Sequence, residues 1–465
     1  GSTAQNAASV EMVGVMRGNC GVRRGTSPAA KRSSAYCPLP TAMNSRQRVQ
    51  KALNHEQPDY VPLDLGASAV TGMHVSSVYQ LRQALRLDRP GTPVKVVEPY
   101  QMLGEIAPDL IEALGIDVVG LGGPRTMFGF ENKDWKPWAL FDGTPVLVPA
   151  AFNTMPEPNG DILMYPEGDQ TAPPSGRMPK GGYYFDTIVR QEPIDDDKLD
   201  PQDNLEEFGP ISDETLQHFA QEADRLHSRT DKAILANFGG TAFGDIALVP
   251  VPWMKRPKGI RDVEEWYVST VARFDYVYEV FRRQCEIGLV NFARLYDAVG
   301  DRVSVVFITG TDFGTQNGPF IGCPAYRKLF QPFHRKVNDW VHEHTPWKTF
   351  IHSCGSVVDL LPDIVDAGFD ILNPVQCSAA GMDAKGLKER FGDRLTFWGG
   401  GVDTQKTLPF GTPDEIRQQV RERIAIFGHN GGFVFNTVHN VQANTPRENL
   451  VALYEAVKES RRSYP

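Results

Sequence analysis

The chain has 465 residues, 41% hydrophobic and 23% charged, a soluble globular mixture with length for one large α/β domain or a few average ones. Its net charge of -9 carries no long run of one sign, which argues against nucleic acid or an anionic membrane as partner, because phosphate binding needs clustered Lys and Arg. No apolar run approaches the ~20 residues of a membrane span, and six scattered cysteines are too few for a disulfide framework, so a reducing cytoplasm is expected.

Residues 1–42 form a different regime, rich in Gly, Ala, Ser and Arg without amphipathic period. Residues 12–42 hold no Asp or Glu, as in a transit peptide, but the plainer expectation is a disordered extension or tag. Folding is expected to begin near Met43, where "NSRQRVQKALNHEQPD" takes helical spacing after a polar start. From Tyr60 on, short apolar runs alternate with amphipathic segments. Strands are predicted at 61–66, 117–122, 233–238, 303–308, 349–353, 370–374, 395–400 and 432–437. Between them lie segments such as "EIAPDLIEALG" and "SVVDLLPDIVDAG", each ending in the Gly that commonly follows a helix.

Eight strands with helical crossovers predict an α/β (β/α)₈ TIM barrel over 43–465 as a single domain. A doubly wound sheet is the competitor, but no G-x-G-x-x-G follows the first strand and no G-x-x-x-x-G-K-[ST] occurs. The stretch 125–190 interrupts the pattern with D-G and N-G turns between β-type runs, which predicts a β-hairpin insertion near the barrel mouth. The loop 249–259 is expected to join the same rim.

In such a barrel chemistry sits at the C-terminal strand ends. Those positions hold Asp64, Asn237, Asp312, His352 and Cys354, Asn373 and Gln376, Trp398, Asp403, His439 and Asn440. Side chains two apart on a strand share a face, so Phe350, His352 and Cys354 point one way, as do Phe433, Phe435, Thr437 and His439. If both faces turn inward, His352, Cys354 and His439 converge on a catalytic zinc site with one position open. Cys377 competes with His439 as third ligand, and a packed histidine beside an inert thiol is the plain alternative. Asp312, in the glycine-rich "FITGTDFGTQNGPF", is a candidate general base, metal ligand or substrate anchor, with Gln316 supplying an amide nearby.

Taken together, "LDLGASAVTGMH", "GTDFGTQNGPF", "FIHSCGS", "ILNPVQ", "FWGGGVDTQ", "LPFGTPDEI" and "NTVHNVQANTPRENL" resemble the uroporphyrinogen decarboxylase superfamily. That resemblance implies a TIM barrel and two branches, porphyrinogen decarboxylases and zinc-dependent methyltransferases working with a corrinoid protein or a small thiol. The decarboxylases carry R-Q-A-G-R after the first strand to hold substrate carboxylates; here "LDLGASAVTG" has no arginine. The methyltransferase branch carries H-x-C and a distant Cys. Here His352 and Cys354 keep the first part, while His439 takes the place of the second.

The resemblance therefore implies a zinc-dependent methyltransferase, moving a methyl group between a small methylated substrate and a cobalamin or thiol acceptor. The metal ligands would be His352, Cys354 and His439, with Asp312 and His439 catalytic. Asp64, Asn237, Gln316, Gln376, Trp398 and Asp403 would bind substrate. No D-x-H-x-x-G occurs, so cobalamin would come free or on a partner corrinoid protein. The alternatives are a metal-independent decarboxylase or lyase acting on a small substrate, and a non-catalytic small-molecule-binding barrel.

Overall fold

The computed structural model describes residues 43–461; the extension expected over 1–42 lies outside the described residues. Seven parallel strands pair in chain order: Val118–Leu121, Ala233–Ala236, Val305–Thr309, Lys348–His352, Ile371–Asn373, Thr396–Trp398 and Phe433–Val434. The extended segment around Leu63 supplies the eighth position through a parallel bridge to Phe435. There the Asp64 amide donates to the Phe435 carbonyl at 2.9 Å and the Phe435 amide to the Pro62 carbonyl at 2.8 Å. The Asp117 amide reaches the Leu63 carbonyl at 2.8 Å, joining that segment to the first strand of the sheet. A closed parallel sheet wrapped in helices is a TIM barrel, as the eight apolar runs predict.

Two apolar layers hold it. Leu235, Val305, Phe350, Ile371, Trp398 and Val434 fill the barrel, plugged from below by Val49 and Leu53 of the helix Ser45–Leu53. That helix starts at the predicted place because Asn44 accepts the Gln47 amide proton while the Gln47 side chain caps Asn44 in return. Outside the sheet, Phe397 and Phe433 pack on Phe427 of the helix Pro413–Phe427, with ring centroids 5.0 and 5.2 Å apart. Strict alternation put Phe433 and Phe435 on the inward face; this is corrected. Val434 points inward and both phenylalanines belong to the outer layer. Only Phe433–Val434 is regular strand, so His439 reaches the mouth from an irregular loop and not by strand register.

The insertion contains hairpins at its D-G and N-G turns, as expected, and a further antiparallel pair beside them. Lys136–Ala139 pairs with Pro145–Val148 across Asp142-Gly143, Thr154–Pro156 with Ile162–Met164 across Asn159-Gly160, and Gly176–Met178 with Asp186–Thr187. Sequence reading missed the strand Val94–Glu98, which runs parallel to Pro145–Val148 and anchors the insertion to the chain ahead of it. The loop 249–259 joins the same rim: Arg190 donates to the Val251 carbonyl at 2.8 Å, and Lys255 pairs with Glu167 at 3.1 Å and Asp169 at 2.9 Å. Among the described residues no helix is long and apolar enough to cross a membrane.

Candidate functional site

The fourth sheet strand, Lys348–His352, aims Phe350 into the barrel, so His352 two residues on points to the mouth. One atom each of His352, Cys354 and His439 lies within 4.8 Å of the others, and the two imidazoles meet edge to face at 5.4 Å. Cys377 lies outside this group.

The ring of His352 is oriented by Asn373. The Asn373 amide donates to the Trp398 carbonyl at 2.8 Å, which turns its own oxygen toward His352 Nδ1 at 2.6 Å. Nδ1 therefore carries the proton, and the lone pair of Nε2 faces Cys354 Sγ at 3.4 Å. An oxygen acceptor behind a histidine is the support metal-binding imidazoles normally have. His439 differs: its Nδ1 accepts the Asn440 amide at 2.8 Å, leaving the proton on Nε2. Cation binding at His439 Nε2 thus requires that proton to move to Nδ1 and the Asn440 contact to break. With that one adjustment the donor set, two imidazole nitrogens and a thiol, suits zinc.

The surrounding field is acidic. Asp312 accepts the Cys354 amide at 2.6 Å. Burial, and next the charge of Asp312, holds the Cys354 thiol well above its ordinary value. Burial lowers both histidines, His439 to about 3 with His352 adding to the effect. The charged groups that act on them are carboxylates: Asp312 on His352 and Cys354, and Asp245 on Cys354.

Asp245 is the residue sequence reading missed. It lies in the glycine-rich loop after the Ala233–Ala236 strand; burial pushes its carboxyl up to about 7, and Asp312 adds to the rise. A Cβ on Gly310 would stand 2.5 Å from Asp245 Oδ2, so this carboxylate packs against the strand end that carries Asp312. Its signal was present: glycines at 239, 240 and 244 surround it, as glycines surround Asp312. Around Asp312 those glycines serve neighbouring protein. A Cβ on Gly314 would lie 2.4 Å from the Cys354 carbonyl oxygen, so the loop packs backbone to backbone on the His-Cys turn.

The remaining candidates divide. Gln376 accepts the Gly355 amide at 2.9 Å and donates to Gln316 at 3.0 Å, and Gln316 donates to the Ser378 carbonyl at 2.7 Å. This amide pair fixes the turn that carries Cys354. Asp64 and Trp398 sit inside the barrel instead of at a substrate surface. Trp398 is fully buried and donates its indole N–H to Asp64 at 2.8 Å, while the other Asp64 oxygen accepts the Ala67 amide at 3.1 Å. Asp403 caps its own loop, accepting the Gln405 and Lys406 amides at 2.8 and 2.6 Å. Asn237 is exposed and lines a cleft beside the mouth together with Asp245.

A parallel barrel with nitrogen, sulfur and carboxylate groups gathered over its C-terminal strand ends has the architecture of a barrel enzyme. Residues 303–460, which carry His352, Cys354, Asp312 and His439, match the family model "Uroporphyrinogen decarboxylase (URO-D)". The uroporphyrinogen decarboxylase of Psychromonas ingrahamii is 34% identical over 92 residues, 19% of this chain and 25% of that protein. The one from Pelodictyon phaeoclathratiforme is 30% identical over 123 residues, 26% of this chain and 32% of that protein. The matched stretches thus span a quarter to a third of those relatives. A methyltransferase from Methanosarcina mazei shares the fold at TM-score 0.51 and 16% identity, over 90% of this chain and 99% of that one. The C-terminal third of the chain, residues 303–460, is thus similar to uroporphyrinogen decarboxylases, and its fold is shared with a methyltransferase.

Proposed function

We propose that this chain is a zinc-dependent methyltransferase that moves a methyl group between a small methylated substrate and a cobalamin or thiol acceptor. The observation that carries the reading is the convergence of His352 Nε2, Cys354 Sγ and His439 within 4.8 Å at the barrel mouth. The likeness to a methanogen methyltransferase supports the same class of reaction. The carboxylates Asp312 and Asp245 beside the centre disfavour a substrate with many carboxylates, as a porphyrinogen has.

His352, Cys354 and His439 would hold the ion. When bound, zinc supplies Lewis acidity toward a substrate heteroatom or holds a thiol as thiolate. Asn373 keeps the His352 lone pair aimed at the site. Gln376 and Gln316 keep the Cys354 turn fixed. Asp312, beside the Cys354 amide, is placed to take or return the proton of the heteroatom that loses its methyl group.

A second reading has one observation of its own. The Asn440 contact leaves His439 Nε2–H as a donor, which suits metal-free acid–base chemistry in a lyase or decarboxylase. One experiment separates the two. Zinc-loaded and chelator-stripped protein are each incubated with reduced cobalamin and a panel of methylated amines, ethers and thioethers, following methylcobalamin by absorbance. Methyl transfer by the loaded protein alone supports the proposal; activity on a substrate of equal size that survives stripping refutes it.

A further inference from the structure

Beside the barrel mouth lies a cleft of about 670 Å³, between the loop after the Ala233–Ala236 strand and the long helix Phe274–Val299. That volume accommodates a small organic ligand. Asp245 lines it and packs against Gly310, where a Cβ would lie 2.5 Å from Oδ2, so one end of the cleft lies against the strand end that carries Asp312.

The walls select a kind of ligand. Phe238, Trp253, Trp266 and Phe281 line the cleft. Gln284, 2% exposed, also lines it; its amide donates to the Gly240 carbonyl at 3.1 Å, and its oxygen accepts no hydrogen bond among the described residues. Asp245 accepts the Ala247 amide through Oδ1 at 2.9 Å, and its Oδ2 has no protein donor among the described residues. The single cation on the lining, Arg261, is consumed: it holds Glu207 through two hydrogen bonds of 2.8 and 3.0 Å and donates to the Asp203 and Lys258 carbonyls. An anion entering would find no counter-charge, whereas a cation would find a carboxylate, a bare amide oxygen and aromatic surface.

We propose that this cleft binds an organic ammonium ion, seated against Asp245 among the aromatic side chains. Trp253 and Trp266 supply the π surface, Gln284 an acceptor, and Asp245 the counter-charge next to the reactive centre. Resting on the methyl-transfer reading, the bound cation is the methylated substrate. Its N–CH₃ bond breaks as the methyl passes to a thiolate or cobalt(I) acceptor, the nitrogen keeps the electron pair, and a neutral amine departs without any oxidant.

Binding is tested apart from catalysis, on the metal-free full chain at pH 8, by calorimetry and tryptophan fluorescence. The probes are choline and 3,3-dimethylbutan-1-ol, which replaces the quaternary nitrogen by carbon. Choline is expected to bind at least tenfold tighter than the neutral probe. Asp245→Asn should erase that preference, and Trp253→Leu should weaken choline at least fivefold, with circular dichroism confirming both folds. Equal binding of the two probes, no binding of either, or an Asp245→Asn variant that keeps the preference would each overturn the proposal. Because neither metal nor acceptor is present, a failure to find methyl transfer leaves this result untouched, and the reverse holds as well.

Discussion

His352 Nδ1 lies 2.6 Å from the Asn373 side-chain oxygen, and the same amide donates to the Trp398 carbonyl at 2.8 Å. The strand Ile371–Asn373 thus sets the tautomer of a histidine on its neighbour. Removing such an acceptor typically costs 10–100-fold in metal affinity. Asn373→Ala is therefore expected to weaken zinc by about that factor, read by competition with a chromogenic chelator, while Asn373→Asp retains most of the affinity. Unchanged affinity in Asn373→Ala would detach this hydrogen bond from metal binding.

The Cys354 thiol is held above its ordinary value by burial and by Asp312, and both histidines are lowered toward the neutral form. Zinc uptake must then expel the thiol proton, whereas the His439 proton only changes nitrogen. Affinity should rise by about tenfold per pH unit between pH 6 and 8, with about one proton released per zinc. Calorimetry in buffers of different ionisation enthalpy counts that proton. Cys354→Ser, if it binds zinc at all, should show a flatter profile.

Gly310 stands against Asp245. A methyl group there would lie 2.5 Å from Oδ2, and the Gly310 backbone has no positive φ, so crowding alone opposes the substitution. Gly310→Ala should cost about 1–3 kcal/mol in chemical denaturation and displace Asp245 from the cleft. A variant as stable as the parent would mean that the loop after the third strand yields easily.

Inside the barrel, burial raises Asp64 from its ordinary 3.8 to about 6, against the opposing hydrogen bond from Trp398. A carboxyl whose folded value is raised stabilises fully below its unfolded value, and that contribution is lost as pH rises through about 6. The difference of roughly two units corresponds to about 3 kcal/mol. Relative to Asp64→Asn, the parent should gain stability as pH falls from about 6 to 4, measured by urea unfolding. A pH-independent difference would show that Asp64 stays ionised.

The barrel was legible because parallel strands, buried on both faces, write themselves as short apolar runs separated by amphipathic segments. His352 and Cys354 were legible because Lys348–His352 is a full five-residue strand, long enough for alternation to carry from Phe350 to His352. The last strand was not, since Phe433–Val434 is too short to fix a face and a loop delivers His439. That Trp398 and Asp64 turn into the barrel and bond to each other was not legible, because a strand-end position alone does not say whether its side chain faces the mouth or the interior. Asp245 escaped notice because its loop carries it eight residues beyond the strand end used for reading (245 − 237).

Metal content tests the central claim most directly, on protein purified without chelator or nickel affinity and then supplied with zinc. Mass spectrometry of the parent, Cys354→Ser and His439→Ala, each checked for folding, should give about one zinc per chain in the parent and little in either variant. A parent chain that stays empty after zinc is supplied would contradict the account, as would full zinc occupancy in both variants.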